Sequence, residues 1–467
     1  MDRDNGLKGV GADYYRDLLR RIFEGRKVIL ATDVMQGAAG NVPALRDAGA
    51  QRPFLLAGNI GTGPLPTTDE AEQFSLELPP EPDLMSGIRR FETVLRDLPP
   101  DALAALDAYD PDREAFVLGS FFTLDGVVAG RRVYGGRTQA WEALEDKTAI
   151  DDVLAKADIA LAPSEVVFIA AAREAAKRVD LGDGTAWAGD ARGGWWGGAA
   201  YFRWVRSADD AAEAEAFIGA ACDRVRVMPF LEGIPCSIHG CVMGKDVIAL
   251  RPCEMITLRK VGKSELLYAG AATYWDPPDA DREAMREAAR RVASTLRDLF
   301  DYRGFFTLDG VLTAAGFRPT EVNPRPGAGM APMAASSDVN LMVLNKVMVE
   351  REPVDFRLPE LERLVVEASD AKRGGRCFAI FGGKPTEQTV RIAKVADGFR
   401  RAADGEDADG AIALGPSVIG GFARYEPDAS RLEPGGSLAP TAVEVFAFTD
   451  TEFGTRLGPL EAALEVR

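Results

Sequence analysis

The stretch Phe305-Phe-Thr-Leu-Asp309-Gly-Val-Leu-Thr313-Ala-Ala-Gly316-Phe-Arg-Pro-Thr-Glu321-Val-Asn323-Pro-Arg325-Pro-Gly-Ala-Gly329 constrains this chain more than any other. Two β-rich runs, Gly304–Val311 and Gly316–Asn323, flank a turn at Thr313–Gly316 and predict a hairpin. Asp309 falls on one strand and Glu321 and Asn323 on its partner. Period-2 alternation sends Glu321, Asn323 and Arg325 to one face. Two carboxylates and an amide oxygen form a hard oxygen cluster, the kind of site that holds magnesium on a nucleoside triphosphate. Arg325 adds the forked cation that a transferring phosphoryl group needs. An exposed hairpin with solvated charges is the alternative. It gives no purpose to Pro324 and Pro326 around an arginine, or to the small-residue run Gly327–Gly329.

At 467 residues the chain exceeds one core, and length alone predicts about three domains. Its 46% hydrophobic and 27% charged residues are ordinary for a soluble globular protein. A net charge of −17 argues against nucleic acid and anionic membrane as partners. Met1-Asp2-Arg3-Asp4 lacks the apolar core of a signal peptide, and no apolar run has the length of a membrane span. Five cysteines without C-x-x-C spacing indicate neither a disulfide framework nor a zinc knuckle, which fits a reducing cytoplasm. His239 is the sole histidine. That excludes His-rich metal sites and two-histidine acid–base schemes. No G-x-S-x-G elbow accompanies it, so a strand histidine satisfied by a neighbour is expected.

The fold class expected is α/β, with α+β character in the core. Residues 1–137 predict a Rossmann-like domain: a helix over Tyr14–Phe23 and strands at Lys27–Thr32, Pro53–Ala57 and Ala115–Gly119. Gly37–Gly40 reads as a loop before a helix start at Asn41 and Pro43. The glycines of Gly58–Gly63 do not have dinucleotide-fingerprint spacing, and Pro64 and Pro66 follow where a helix should begin. A loop lining a substrate cleft is the better reading.

Residues 138–350 form the second unit, helical over Thr138–Asp146. Strands are expected at Ala200–Arg206, Val225–Phe230, Cys236–Met243 and Val247–Arg251. An amphipathic helix over Asp281–Phe300 and another over Asp338–Val349 complete it. Residues 351–467 predict a small β-rich domain, with strands at Arg363–Glu367, Cys377–Phe381, Thr389–Val395 and Val443–Ala447 among Gly-, Pro- and Asp-rich turns.

The sequence resembles the ATP-grasp superfamily. That family's closing signature, an acidic residue followed across a hairpin by E-x-N-x-R, matches Asp309, Glu321, Asn323 and Arg325. The resemblance implies a pre-ATP-grasp domain, an ATP-grasp core and an additional C-terminal domain, with ATP and Mg2+ as cofactors. It puts magnesium on Asp309, Glu321 and Asn323, and Arg325 on the phosphate or acyl-phosphate side as a catalytic residue. Lys147, after Asp146, is carried over as a phosphate ligand. Arg192, Gly193, Gly194 and Gly197 resemble the glycine-rich flap over the phosphates, with Trp195 and Trp196 either shielding the site or packing on a neighbour. Met228, Phe230 and Leu231 fall where the family meets adenine. Glu232 is a ribose candidate or an exposed turn acid, and Arg251 is a second catalytic candidate toward phosphate or substrate.

Two family features are absent. A lysine usually precedes the flap, but Ala186-Trp-Ala-Gly189-Asp190 has none; Gly189 falls near its place and Arg192 is a candidate replacement. The acid that often begins the adenine hinge is replaced by Val227 and Met228. The arrangement is similar to peptide ligases of bacterial specialised metabolism of the pheganomycin type. This resemblance implies a carboxylate–amine ligase: an acyl phosphate forms, and an amine attacks it to give an amide, ADP and phosphate. Its partners would be small carboxylates and amines (amino acids or peptides), and a homodimer is compatible with it. Amidine formation, small-molecule phosphotransfer and a catalytically weak ATP-binding module are the alternatives. Specificity is expected from Gly37–Asn41, Gly58–Gly63, the surroundings of Arg251 and Arg259, and the C-terminal domain.

Overall fold

The computed structural model describes residues 10–81, 83–190, 201–417 and 419–466. Its first strands are parallel, as continuous apolar runs joined by helices require. They are β1 (Val28–Val34), β2 (Phe54–Asn59), β3 (Glu72–Ser75) and β4 (Phe116–Leu118), in the order β3-β2-β1-β4. α1 (Ala12–Phe23) buries Tyr15, Leu18, Leu19 and Phe23 along one stripe. Residues expected as a loop begin with a helical turn, α2 (Met35–Ala39), followed by α3 (Asn41–Asp47). α4 (Leu84–Arg96) starts where the Asp83 carboxylate accepts the Ser86 amide, and α5 (Pro100–Tyr109) places its proline in the first turn. Strand order reverses between β1 and β4, so their C-terminal ends open a crevice. A two-stranded ribbon, β5 (Val127–Val128) and β6 (Arg131–Arg132), closes this part.

The expected helix at Thr138–Asp146 is shorter than predicted. It is one turn, α6 (Gln139–Glu142), capped by Thr138 and continued by a 3-10 turn to Glu145. α7 (Ile150–Lys156) leads to a small antiparallel sheet of β7 (Glu165–Phe168), β8 (Thr185–Gly189), β9 (Phe202–Val205) and β10 (Arg224–Pro229), ordered β7-β10-β8-β9. α8 (Ala172–Val179) and α9 (Ala208–Gly219) cover one face with an apolar cluster around Trp187, Ile218 and Val225.

The largest sheet begins with β11 (Ile234–Met243), β12 (Asp246–Lys260) and β13 (Leu266–Ala272). β12 runs nine residues past the expected end at Arg251, with Ile256 and Leu258 alternating inward. α10 (Asp279–Phe300) packs Met285, Val292 and Leu296 beneath this sheet. The hairpin follows as β14 (Gly304–Thr313) and β15 (Gly316–Asn323), with Gly316 at φ +96° in the turn. α11 (Met330–Ser337), which the sequence pattern did not reveal, precedes α12 (Leu341–Val349), capped by Asn340.

Two expected strands are helices. Arg363–Glu367 lies in α13 (Leu358–Ala371), which buries Leu358, Leu361 and Val365. β16 (Gly375–Phe381), β17 (Gln388–Val395), β18 (Gly398–Arg401), β19 (Gly410–Ser417) and β20 (Gly420–Pro427) then follow. Val443–Ala447 lies in α14 (Ala439–Phe453), with Ala442, Val445, Phe446 and Thr449 inward. Both sets have spacings of three and four residues, and a short β-branched run masks that period. β21 (Leu460–Glu461) pairs with β12.

Residues 351–467 do not build a sheet of their own. β16 pairs with β13 through Gly270 and Cys377, giving one path β15-β14-β11-β12-β13-β16-β20-β19-β17-β18. α13 also shares an apolar core with α1, α11 and α12. Among the described residues no helix is long and apolar enough to cross a membrane.

Candidate active site

The β14–β15 register sets Asp309 opposite Glu321 and Thr307 opposite Asn323, with a bulge just past Asp309. On the other side of β14, Ser237 of β11 faces Asp309. Its hydroxyl donates to Asp309 Oδ1, and Asn323 Nδ2 donates to Asp309 Oδ2 at 2.8 Å and to Glu321 Oε1 at 3.1 Å. Lys147 Nζ pairs with Glu321 Oε2 at 2.6 Å. Arg325 Nη2 donates to Asn323 Oδ1 at 3.0 Å, and its Nε donates to Glu145 Oε1 at 3.0 Å. Arg137 also pairs with Glu145, and the Phe122 ring lies 4.9 Å from the Arg325 guanidinium. The four residues of the expected hairpin cluster and Lys147 therefore meet in one network. Glu145 and Phe122 join it from sequence-distant positions.

Burial pushes Asp309 up to about 7, and the adjacent Glu321 charge adds to the shift. Burial also acts to raise Glu321, but Lys147, the Asn323 amide and Arg325 together outweigh it and bring Glu321 down to about 2. A buried and a half-buried carboxylate this close need a proton or a cation between them. The Asn323 amide hydrogens supply part of that positive charge here. Among the described residues no group of three or more His, Cys, Asp or Glu could hold a metal. The oxygen set is instead two carboxylates and an amide, a hard-donor combination that fits magnesium. Burial would raise Glu145, but Arg325 and Arg137 hold it below its ordinary value, so it is a fixed anion behind Arg325.

The second wall is apolar. Ala186 packs with Ala162, Met228, Phe202 and Leu231. Strand alternation puts Ala188 on the face of Ala186, with Trp187 and Gly189 on the reverse. A Cβ at Gly189 would meet Cys222 Sγ at 2.5 Å and Ile218 Cγ2 at 3.0 Å. Gly189 therefore faces α9 and cannot mark the missing lysine; the cleft-facing positions are Ala186 and Ala188. Arg192, Gly193, Gly194 and Gly197, with Trp195 and Trp196, lie outside the described residues.

Met228 and Leu231 line the apolar wall, but Phe230 does not join them. It stacks on Trp204 with ring centroids 4.0 Å apart. Glu232 pairs with Arg259 at 2.6 Å. The two walls are tied by Arg226, whose Nε donates to Asp151 and whose Nη1 donates to the Thr320 carbonyl of β15 at 2.8 Å.

Arg251 is a correction. Its side chain is fully buried, and the guanidinium donates to the carbonyls of Thr273, Ser369 and Trp275 and to Asp276. It clamps β12 to α13 and the segment after β13, so it does not face phosphate or substrate. The same kind of residue at a strand position looks identical in sequence whether it binds carbonyls or a ligand.

Next to the hairpin, a cavity of about 860 Å³ opens at the β1–β4 crevice. Asp33, Ser120 and Phe122 line it from the first sheet, Gly327 and Ala328 from the segment after Arg325, and Arg376 from β16. Gly37, Gly40 and Asn41 also line it. The Gly58–Gly63 loop instead docks on the C-terminal strands: Thr62 Oγ1 donates to the Pro416 carbonyl at 2.6 Å, and the Gly63 amide donates to Glu387. Lys346 reaches the crevice from α12 and donates to the Ser120 and Gly135 carbonyls, each at 3.2 Å. Burial brings it down to about 8. A lone lysine in the apolar run Leu341–Val349 was the available signal for it.

Residues 203–329 match the sequence model of the ATP-grasp domain, ending just past the hairpin. The chain thus carries an ATP-grasp domain within an α/β architecture. No curated protein sequence matches the chain. Biotin carboxylase from Campylobacter jejuni, solved as a β-γ-ATP complex, is similar in structure at 13% identity, covering 87% of this chain and 88% of that one with a TM-score of 0.53. N5-carboxyaminoimidazole synthase from Aspergillus clavatus, solved with ADP and 5-aminoimidazole ribonucleotide, is similar at 12% identity, 91% and 99% coverage and a TM-score of 0.50. Rhizobium etli pyruvate carboxylase gives 15% identity and a TM-score of 0.54, over 86% of this chain and 36% of that one. At these identities the likeness is one of fold.

Proposed function

We propose that this protein is an ATP-dependent, ADP-forming carboxylate–amine ligase. It makes an amide or peptide bond through an acyl phosphate, on an amino acid, peptide or related small carboxylate. The observation that carries this reading is the pair of buried Asp309 and half-buried Glu321, bridged by Asn323 beside Arg325. Asp309 and Glu321 would hold magnesium, with Asn323 adding an oxygen once its amide is reversed. When bound, the metal neutralises phosphate oxygens during transfer.

The chain's own residues then have distinct tasks. Lys147, paired with Glu321, would be placed to hold phosphate oxygens. Arg325, aimed by Glu145 and covered by Phe122, stabilises charge on the transferring group. Ala162, Ala186, Met228 and Leu231 offer an apolar slot for the adenine. The cavity beside the hairpin takes the carboxylate and amine and shields the acyl phosphate from water. No histidine serves as a proton relay: His239 is fully buried and its pKa is depressed to about 3 by that burial. The amine's proton leaves to a carboxylate or to water.

Alanine at both cleft-facing positions of β8 favours a second reading, a catalytically weak ATP-binding module. ADP release measured with Mg2+, ATP and pools of carboxylates and amines separates the two. The ligase reading expects ADP only when both pools are present, together with an amide product. A phosphorylated product without amine points to phosphotransfer, amidine from an amide pool to the related activation, and no ADP with any pool to the binding module.

A further inference from the structure

The floor of the cavity is one face of the large sheet, and its charge is uneven. Arg376 and Phe378 of β16 lie on that face, two residues apart, and both border the cavity. Arg424 of β20 sits directly across from Phe378, which puts it on the same face. Arg424 Nε lies 2.9 Å from Glu426 Oε1. Arg376 is exposed to the cavity, and no described residue gives its side chain a hydrogen bond or an ion pair. Its pKa is lowered by burial first and by the like charge of Arg424 second, with Glu426 opposing. A partnerless arginine facing a cavity beside a second arginine is an arrangement that an anion relieves.

Distance narrows what the anion belongs to. From β14, which carries Asp309, to β16, which carries Arg376, the sheet path crosses four strand spacings, roughly 19 Å at the backbone. The two side chains shorten that gap without closing it. Tyr268 of β13 lies between: its hydroxyl is raised by burial and then by Asp309, while Arg325 and Arg376 both pull the other way. The Tyr268 ring meets Phe378 edge-on at 5.8 Å, so an aromatic floor separates the two charged ends. A single small acid cannot reach both. An extended peptide advances about 3.3–3.6 Å per residue, so two to four residues cover the interval.

We propose that Arg376, with Arg424 beside it, binds the free terminal carboxylate of a short peptide substrate whose other end reacts at the Asp309–Arg325 hairpin. The inference rests on the ligase reading of that hairpin and extends it to a substrate class. No existing bond changes at this subsite; the arginine forms a forked ion pair that fixes one end of the substrate.

Equilibrium dialysis with full-length protein and Mg2+·ATP tests it. Dipeptide and tripeptide libraries with free or amidated C-termini serve as probes, with retained species read by mass spectrometry. Free-acid peptides should be retained at least about tenfold better than their amides, the scale of one charge-assisted pair. Arg376→Met should lose that preference and Arg376→Lys keep part of it, while both still retain Mg2+·ATP. Equal retention of acids and amides, undiminished retention by Arg376→Met, or no peptide retained by a wild-type protein that holds Mg2+·ATP would each overturn the proposal. A parallel cell with inorganic phosphate separates the other source of an anion. Arg376-dependent phosphate retention without peptide retention assigns the subsite to a phosphorylated substrate and also overturns it. Failure of the wild type to retain Mg2+·ATP would instead count against the ligase reading beneath.

Discussion

The hairpin wall and the strand wall of the cleft are built from different materials. Around β14 and β15, Ser237, Asp309, Glu321, Asn323, Arg325, Lys147 and Glu145 share one chain of charge-assisted contacts. On β8 and β10, the same face carries Ala186, Ala188 and Met228, and its arginines, Arg224 and Arg226, are turned to Thr148, to Asp151 and to the Thr320 carbonyl. One wall works through particular side chains, and single substitutions there should be severe. The other works through shape and main-chain groups, and it tolerates exchange until its space is filled.

The sharpest way to break this contrast is at the metal ligands. Asp309→Asn or Glu321→Ala should cut turnover by about 10³-fold or more, the scale of removing a preorganised electrostatic contact. ADP release is the assay, and unchanged activity would remove magnesium from this hairpin. Glu145→Gln comes next. It leaves Arg325 in place but loosens its aim, and a supporting contact of this kind is worth about 10–100-fold. The loss should fall on kcat more than on KM for ATP, because Glu145 acts through Arg325.

On the apolar wall, Ala186→Phe fills the slot beside Met228. Raising the ATP dissociation constant about tenfold is the expected outcome, matching an overpacking cost of about 1–3 kcal/mol. Mn2+ binding at the hairpin should be unaffected, and a parallel loss of both would mean that the walls are not separable.

The smallest effect concerns stability under the hairpin wall. A Cβ at Gly327 would come within 2.9 Å of His239 Nε2, so the loop after Arg325 sits directly on this imidazole. Among the described residues, neither ring nitrogen has a hydrogen-bond partner. The folded pKa of about 3 lies below the unfolded value of about 6.5, so the unfolded chain takes up the proton first as pH falls. Stability from this group is complete above about pH 6.5 and declines toward pH 3, at up to about 1.4 kcal/mol per pH unit. His239→Phe should flatten the acid limb of denaturant unfolding. In the wild type the single histidine ring should show no NMR titration between pH 8 and 5, and a midpoint near 6.5 would contradict its burial.

The same contrast governs what was legible in the sequence. The hairpin was readable because its residues are chemically specific and alternate along two short strands, so Asp309, Glu321, Asn323 and Arg325 were found with their mutual placement. Lys147 was found only through the family resemblance, because an Asp-Lys pair carries no signal of its own. The strand wall was not readable, since alanines and a methionine in apolar strands carry no mark of a ligand. Gly189 was misplaced by one residue of alternation, which turns a side chain to the opposite face. Arg251 was misread because burial, not residue type, decides its role. Glu145, Lys346 and Arg376 acquire their roles only when distant segments meet. The parallel first sheet was visible in its apolar runs, whereas α13 and α14 hid their helical period behind short runs of valine and phenylalanine.

The central claim is that the hairpin activates a carboxylate by phosphorylation. Its most direct test incubates the protein with Mg2+, ATP, an amine pool and carboxylates labelled with oxygen-18, and follows the released phosphate by mass spectrometry. An acyl phosphate requires one labelled oxygen to appear in phosphate for each ADP formed, with none in the Asp309→Asn variant. ADP release with unlabelled phosphate would contradict carboxylate activation at this site.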